Sequence, residues 1–554
     1  MTREACDVVV VGSGVAGLTA ACVAAAEGRR TLLLEAASLI GGTSAISGGM
    51  VWIPADNPET GDTIAAARLY LEETAPDPSD PRIREAFLSR ASEAVAYLAR
   101  RTQVKLRPVS VYPDYYPDRP GATKGGRVLE AVPFDGLSLG RDFGLLRPPL
   151  PEFTLFGGMM VSRADIPHFR KVFRNLRSTL RVGRLLGEYA VQRLRAPRGA
   201  TLYLGNALTG RLFASARDLG VNLRLSTRVE ELLVEGGRVA GVVTRSPDGG
   251  LSEVTAPAVI LATGGFSHDR ALRERHLPQA AGSVSATVPS GAAAGARLAE
   301  KVGAGIAEDA ENRAFWVPGS LFTREDGAQG VFPHTVTDRG KPGLIAVDGQ
   351  GERFVNEALS YHEFVLAMLR SANRAIPAFL VCDAAFLWKY GLGRIKPFTT
   401  SVAKDLRDGY LHRGQTIEQL GSSLGVPPDK LAATVASYNT HARRGEDPQF
   451  GKGGDNYQRH VGDGEHRPNP CVAPLEKPPF YAIAVHPADL GTAAGLRTDD
   501  RARVLDANGS PVPGLYACGN DMNSVMGGAY PGPGITLGPA LTFGYLAGRD
   551  AAAL

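Results

Sequence analysis

Four short apolar runs punctuate the chain, and each ends in a glycine-rich or acidic turn. Asp7-Val-Val-Val-Val11 leads into Gly12-Ser13-Gly14-Val-Ala16-Gly17-Leu-Thr-Ala-Ala, and Thr31-Leu-Leu-Leu34 ends at Glu35. Val259-Ile-Leu-Ala262 opens onto Thr263-Gly264-Gly265, and Gly514-Leu-Tyr-Ala517 gives way to Cys518-Gly519-Asn520-Asp521. Runs of this length predict buried strands, each followed by a turn. A different pattern occupies 163–198. There Phe169, Val172, Phe173, Leu176, Leu180, Leu185, Leu186, Tyr189, Val191 and Leu194 interleave with basic residues at roughly helical spacing, which predicts a basic amphipathic helix.

The first run carries chemistry. Strand, tight turn and helix follow in order: Gly12 permits the turn, Gly14 lets backbone approach a pyrophosphate, and Gly17 allows helix and strand to pack closely. Ser13 and Ala16 lie within this turn and the helix start, whose partial positive charge faces the phosphates. Glu35 closes the second strand 23 residues after Gly12, suited to a ribose hydroxyl. Gly41, Gly42, Thr43, Ser44, Ser47, Gly48 and Gly49 follow and can wrap pyrophosphate and flavin with amides and hydroxyls. Ala262, Thr263 and Gly264, then Gly519 and Asn520, bring the sheet back to the nucleotide. These segments in this order point to FAD rather than to NAD.

At 554 residues the chain is too long for one core, and two or three domains are expected. Five scattered cysteines without a Cys-x-x-Cys pair argue for a reducing compartment, and no Cys/His cluster has metal-ligand spacing. No basic segment followed by an apolar run opens the chain, and no apolar run reaches spanning length, so a cytoplasmic protein is expected. Charge is uneven. Ten basic residues against Asp165 and Glu188 give 163–198 a charge of +8 within a chain of net +4. That helix can lie on an anionic membrane surface or cover a core with a solvated face; the 156–198 stretch, opening with Phe156-Gly-Gly-Met159-Met160, would form the contact. No recognition motif for nucleic acid accompanies it.

Near the C-terminus, Met526-Gly-Gly-Ala-Tyr530-Pro-Gly-Pro-Gly534-Ile-Thr-Leu-Gly538 sets a tyrosine hydroxyl and a glycine amide in one stiffened turn. Two such donors converging on a carbonyl oxygen would form an oxyanion hole for an enolate.

With these motifs in place, nearly the whole chain resembles the flavoprotein superfamily of fumarate reductase and succinate dehydrogenase, and within it the 3-ketosteroid dehydrogenases of the Δ1 type. The resemblance implies an α/β fold: a discontinuous Rossmann-like FAD-binding domain (1–143, 204–286 and 487–554), a basic helical insert (144–203) and an inserted α+β catalytic cap domain (287–486). It implies removal of hydrogen from C1 and C2 of a 3-ketosteroid, with hydride passing to flavin N5 and an external acceptor such as a quinone reoxidising the flavin. Tyr530 and Gly534 match the carbonyl-polarising pair, Tyr361 in Arg353-Phe-Val-Asn-Glu357-Ala-Leu-Ser-Tyr361 the proton-abstracting tyrosine, and Tyr115 the tyrosine that assists it. Val229, Thr536 and Leu537 complete the expected cofactor contacts. Thr43 and Ser44 stand where covalent members of the superfamily carry histidine, so FAD is expected to be held non-covalently, with no metal.

Arg353 and Glu357 are expected to form a structural ion pair, His334 to cap backbone, and His486-Pro487 to begin a turn. Alternatives left open are a Δ4-(5α)-dehydrogenase of saturated 3-ketosteroids, a reductase of an unsaturated acid, and a non-catalytic flavin-bound membrane-surface or assembly protein. The tyrosine, glycine and proline of the C-terminal turn disfavour carboxylate binding of the fumarate reductase kind.

Overall fold

The computed structural model describes all residues except 1, 58–59, 79, 110, 290–293, 309 and 311. Its central sheet has six strands in the order Arg503–Leu505, Pro511–Ala517, Ala258–Leu261, Val8–Val11, Thr31–Leu34 and Asn222–Arg224. Val8–Val11 pairs in parallel on both sides, with Thr31–Leu34 and with Ala258–Leu261. Every residue of these three strands is buried, which explains why they read as unbroken apolar runs rather than alternating ones.

The helix Val15–Ala26 packs directly on this sheet and on the C-terminal helix Leu537–Ala552. Close approach at the first turn requires glycine. A Cβ on Gly17 would sit 2.0 Å from the Gly12 carbonyl oxygen, and one on Gly12 would sit 2.3 Å from that of Ala262.

A second sheet orders Gln329–Pro333, Ala314–Thr323, Phe480–Thr492, Ala378–Asp383 and Leu344–Val347. Its longest strand continues past position 486 to Thr492, so His486 and Pro487 lie inside a strand, paired with Gly319 and Pro318, rather than at the start of a turn. The helix Tyr361–Arg370 packs on Ala314–Thr323. Ser360 caps it by accepting from the Glu363 amide at 3.3 Å, the arrangement encoded by Ser-x-x-Glu, and this fixes Tyr361 at the first helical position.

The basic stretch is two helices rather than one, Ile166–Arg170 and Leu176–Arg193. The Asn175 side chain accepts from the Ser178 amide at 3.2 Å and starts the second helix afresh. Only its Val182 and Leu185 face turns inward among the large apolar residues, whereas Phe173, Leu176 and Leu194 are 92, 75 and 85% exposed. No helix of the described residues is long and apolar enough to cross a membrane.

Candidate active site

A separate three-stranded sheet of Met50–Trp52, Val128–Ala131 and Leu106–Pro108 backs the C-terminal turn. The Trp52 amide donates to the Gly534 carbonyl at 3.1 Å, and Gly534 adopts φ +93°. A Cβ there would lie 2.6 Å from the Met50 carbonyl carbon and 2.7 Å from the Trp52 nitrogen, so backbone packing as well as φ demands glycine.

The segment carrying Tyr115 is anchored by Asp114, fully buried. Its carboxylate accepts from Arg127 (2.9 Å), the Trp52 indole (2.9 Å) and the Thr123 amide (3.0 Å), and Arg127 also pairs with Asp62. Pro531 then receives the Tyr115 amide at 2.9 Å and the Tyr70 hydroxyl at 2.6 Å on one carbonyl oxygen. Two segments more than 400 residues apart are thus locked together.

Three tyrosines meet over this floor. The Tyr115 hydroxyl donates to that of Tyr361 at 3.0 Å, while the neighbouring Tyr116 turns away to Glu363 at 2.6 Å. Tyr361 and Tyr530 are edge-to-face at 5.0 Å, and Tyr115 stacks on Tyr530 at 5.8 Å. Phe315 and Tyr457 close the cluster against Tyr530 and Tyr115 respectively. All three tyrosines are buried.

Burial raises each hydroxyl, but not alike. Tyr361 and Tyr115 lie well above the ordinary value, Tyr361 through burial and then through Tyr530, with the Tyr115 hydrogen bond pulling it back. Burial pushes Tyr530 up to about 12 while hydrogen bonding from Tyr361 and Thr536 acts downward. Burial therefore keeps the Tyr530 hydroxyl protonated at neutral pH.

A continuous cavity of about 1810 Å³ joins these tyrosines to the first glycine turn. That exceeds the roughly 300–1,000 Å³ of an ordinary small-molecule pocket, leaving room for a dinucleotide and a second ligand. Tyr115, Tyr361, Tyr530 and Gly534 line it. So do the cofactor contacts expected from the sequence, Val229, Thr536 and Leu537 included, except Gly17 and Gly41. Gly17 packs on Gly12 beneath the turn, and Gly41 donates its amide to the Ser13 hydroxyl at 3.0 Å. Both shape the turn from behind.

The donor set suits FAD. Gly14 has no protein atom nearer than 3.6 Å to where a Cβ would stand, so its backbone is open at the helix N-terminus. Glu35 holds Ser13 through both amide (2.9 Å) and hydroxyl (2.6 Å), and its oxygens retain lone pairs for a ribose. Ser44 accepts from the Val15 amide at 3.1 Å, and Thr43 from the Val288 amide at 3.1 Å. Neither position offers an imidazole.

Asp521 emerges as a support that sequence reading passed over, although it stands next to Asn520. Its buried carboxylate accepts from Thr263 and from the Gly265 amide (2.9 Å), tying two strand ends together under the cofactor site. His334 does not line the cavity; it is buried between Asp338 (2.6 Å) and Ser320 (2.9 Å). Arg353 and Glu357 form a buried pair at 3.0 Å, joined by Asp447 and Lys452, away from the cavity. The described residues contain no cluster able to hold a metal ion.

The family model described as an FAD binding domain matches residues 7–537. The chain belongs to this FAD-binding flavoprotein family. Among its relatives is the 3-oxosteroid 1-dehydrogenase of Mycobacterium tuberculosis, 36% identical, with 99% of this chain and 98% of that one aligned. Another is the 4-oxocyclohex-2-ene-1-carboxylate 5-dehydrogenase of Sinomonas cyclohexanicum, 39% identical over 99% of this chain and 94% of its own. The crystal structure of 3-ketosteroid Δ1-dehydrogenase from Sterolibacterium denitrificans with 1,4-androstadiene-3,17-dione superimposes with a TM-score of 0.91 at 36% identity, covering 99% of this chain and 100% of that one. This flavoprotein is therefore an FAD-dependent oxidoreductase.

Proposed function

We propose that the protein is a 3-ketosteroid Δ1-dehydrogenase, desaturating C1–C2 beside the ring ketone. The observation that carries this reading is the convergence of Tyr115, Tyr361, Tyr530 and Gly534 on one buried cavity shared with the glycine turn. The relatives named for steroids and for oxocyclohexane carboxylates both oxidise a ring next to a ketone, so the reacting unit is the ring ketone.

The Tyr530 hydroxyl and the Gly534 amide polarise the carbonyl oxygen and acidify the adjacent C–H. Tyr361 takes the C2 proton, and the Tyr115 hydroxyl, donating to Tyr361, favours its phenolate. Aromatic walls exclude water from this step. Bound FAD, held without a covalent link, supplies the acceptor for the hydride lost from C1. A quinone or similar oxidant then takes the electrons. The six-stranded sheet serves as a Rossmann-like FAD domain, and the second sheet as the cap that brings Tyr361 to it.

Product analysis tests this reading. With an artificial electron acceptor, a 3-keto-4-ene steroid is expected to give the 1,4-diene; product only from a saturated 3-ketosteroid, with the new bond at C4–C5, contradicts it. Because burial holds Tyr361 above its ordinary value, the phenolate fraction grows with pH. Steady-state kcat/KM is expected to rise about tenfold per pH unit between roughly pH 6 and 9. A flat profile there argues against a tyrosine base.

The exposed basic surface fits a cytoplasmic protein docked on the inner face of the cell membrane. Arg181 pairs with Asp165 and Arg184 with Glu188, but Arg174, Arg177, Arg193 and Arg195 are exposed beside Phe173, Leu176 and Leu194 without an ion-pair partner among the described residues. Neutralising Arg174 and Arg177 to Gln is expected to weaken binding to anionic vesicles about thirtyfold, from about 1 kcal/mol per charge. Equal co-sedimentation of variant and wild type removes the membrane role.

A further inference from the structure

The cavity is not apolar along its whole length. Arg163, Arg170 and Lys341 line the same space as Tyr361 and Tyr530, and none has a carboxylate partner among the described residues within ion-pair distance. The nearby acids are already engaged: Glu152 with Arg324, Asp338 with His334, and Asp463 with Lys389 and Tyr390.

Arg163 meets Tyr112 rather than any of the three clustered tyrosines. The Arg163 guanidinium lies 5.2 Å from the centre of the Tyr112 ring. Tyr112 packs on His460 at 4.6 Å and lines the same cavity as Tyr115, the partner of Tyr361. The Arg170 Nε is buried with no hydrogen-bond partner. Lys341 places two of its three N–H donors on the carbonyls of Val461 and Gly462, each at 2.7 Å, and keeps the third.

Their positive field registers on neighbouring groups. Burial and then Arg170 push the Lys341 ammonium down to about 8, and burial with Arg163 and Lys341 pushes His460 down to about 4. Arg170 and Lys341 are half-buried and Arg163 stands at an exposed edge of the cavity, all three without an ion-pair partner among the described residues, so a ligand anion would meet three available cations there. A neutral steroid leaves them uncompensated, whereas guanidinium groups match a carboxylate through paired, charge-assisted hydrogen bonds.

We propose that the ketone substrate carries a carboxylate at the end remote from the reacting bond, bound by Arg163, Arg170 and Lys341. This rests on the ring-ketone reading above and names the substrate class within it. The carboxylate has two chemical sources, the side chain of a steroid or a substituent on a single oxo-ring.

The test compares kcat/KM of the holoenzyme for acid and methyl ester in two pairs: a 3-keto-4-ene steroid with a side-chain carboxylate, and 4-oxocyclohexanecarboxylate. The acid is expected to be favoured about ten- to hundredfold in one pair, mainly through KM. That ratio is expected to fall toward one in Arg163→Gln/Arg170→Gln. Preference in the steroid pair identifies a side-chain carboxylate; preference in the cyclohexane pair identifies a single ring. Equal turnover of acid and ester in both pairs overturns the proposal while leaving the ring-ketone reading intact, and so does a ratio unchanged in the variant. No turnover of either pair or of a neutral 3-ketosteroid overturns both. If the double variant loses FAD, the wild-type ratios decide alone.

Discussion

Replacing Tyr361 by Phe is expected to lower kcat by about 10²–10⁴-fold, the range for loss of a positioned general base. FAD content and steroid binding are expected to persist. The ring stays in place, edge-to-face with Tyr530 and Tyr115, and only the hydroxyl that accepts from Tyr115 is lost. The Ser360 cap that fixes the helix start is untouched. Measured by flavin absorbance, steroid titration and turnover, a variant that keeps both ligands and its rate would remove Tyr361 from the chemistry. The increase of kcat/KM with pH should vanish with the hydroxyl, which a purely packing role for this side chain would not produce.

Tyr530→Phe is expected to lower kcat by about 10²–10³-fold, as for one oxyanion donor removed. The Tyr530 hydroxyl lines the cavity, and burial pushing it up to about 12 keeps its proton in place at neutral pH. Its ring contacts with Phe315 and Tyr361 survive the change. The loss should therefore appear in kcat more than in KM, because the carbonyl draws most on this donor as it becomes an enolate. Stability is expected to change by about 1 kcal/mol, the worth of an ordinary hydrogen bond. A variant with raised KM and unchanged kcat would assign Tyr530 to ground-state binding instead.

Much of the cofactor side was legible because its requirements are local. A glycine that must admit the Ala262 carbonyl, an apolar strand buried on both faces and an acid at the next strand end all leave marks in adjacent residues. The helix start at Tyr361 was equally encoded by Ser360 and Glu363. Long-range closure was not. Nothing near Asp114 shows that it will receive Trp52 and Arg127, nor that Pro531 will bridge Tyr70 and Tyr115.

The basic stretch shows the opposite failure. Its periodicity predicts one helix, but Asn175 restarts the backbone and divides it. The same regular spacing hid the division of labour among its arginines. Arg181 meets Asp165, Arg163 and Arg170 line the cavity, and Arg174 and Arg177 face solvent, a sorting that the periodicity does not encode.

The most direct measurement is anaerobic mixing of the FAD-loaded protein with a 3-keto-4-ene steroid, following flavin absorbance and the steroid together. The account requires one flavin bleached for each 1,4-diene formed, with flavin absorbance falling at the rate at which the diene appears. A flavin that stays oxidised with this steroid contradicts the assignment of C1–C2 desaturation.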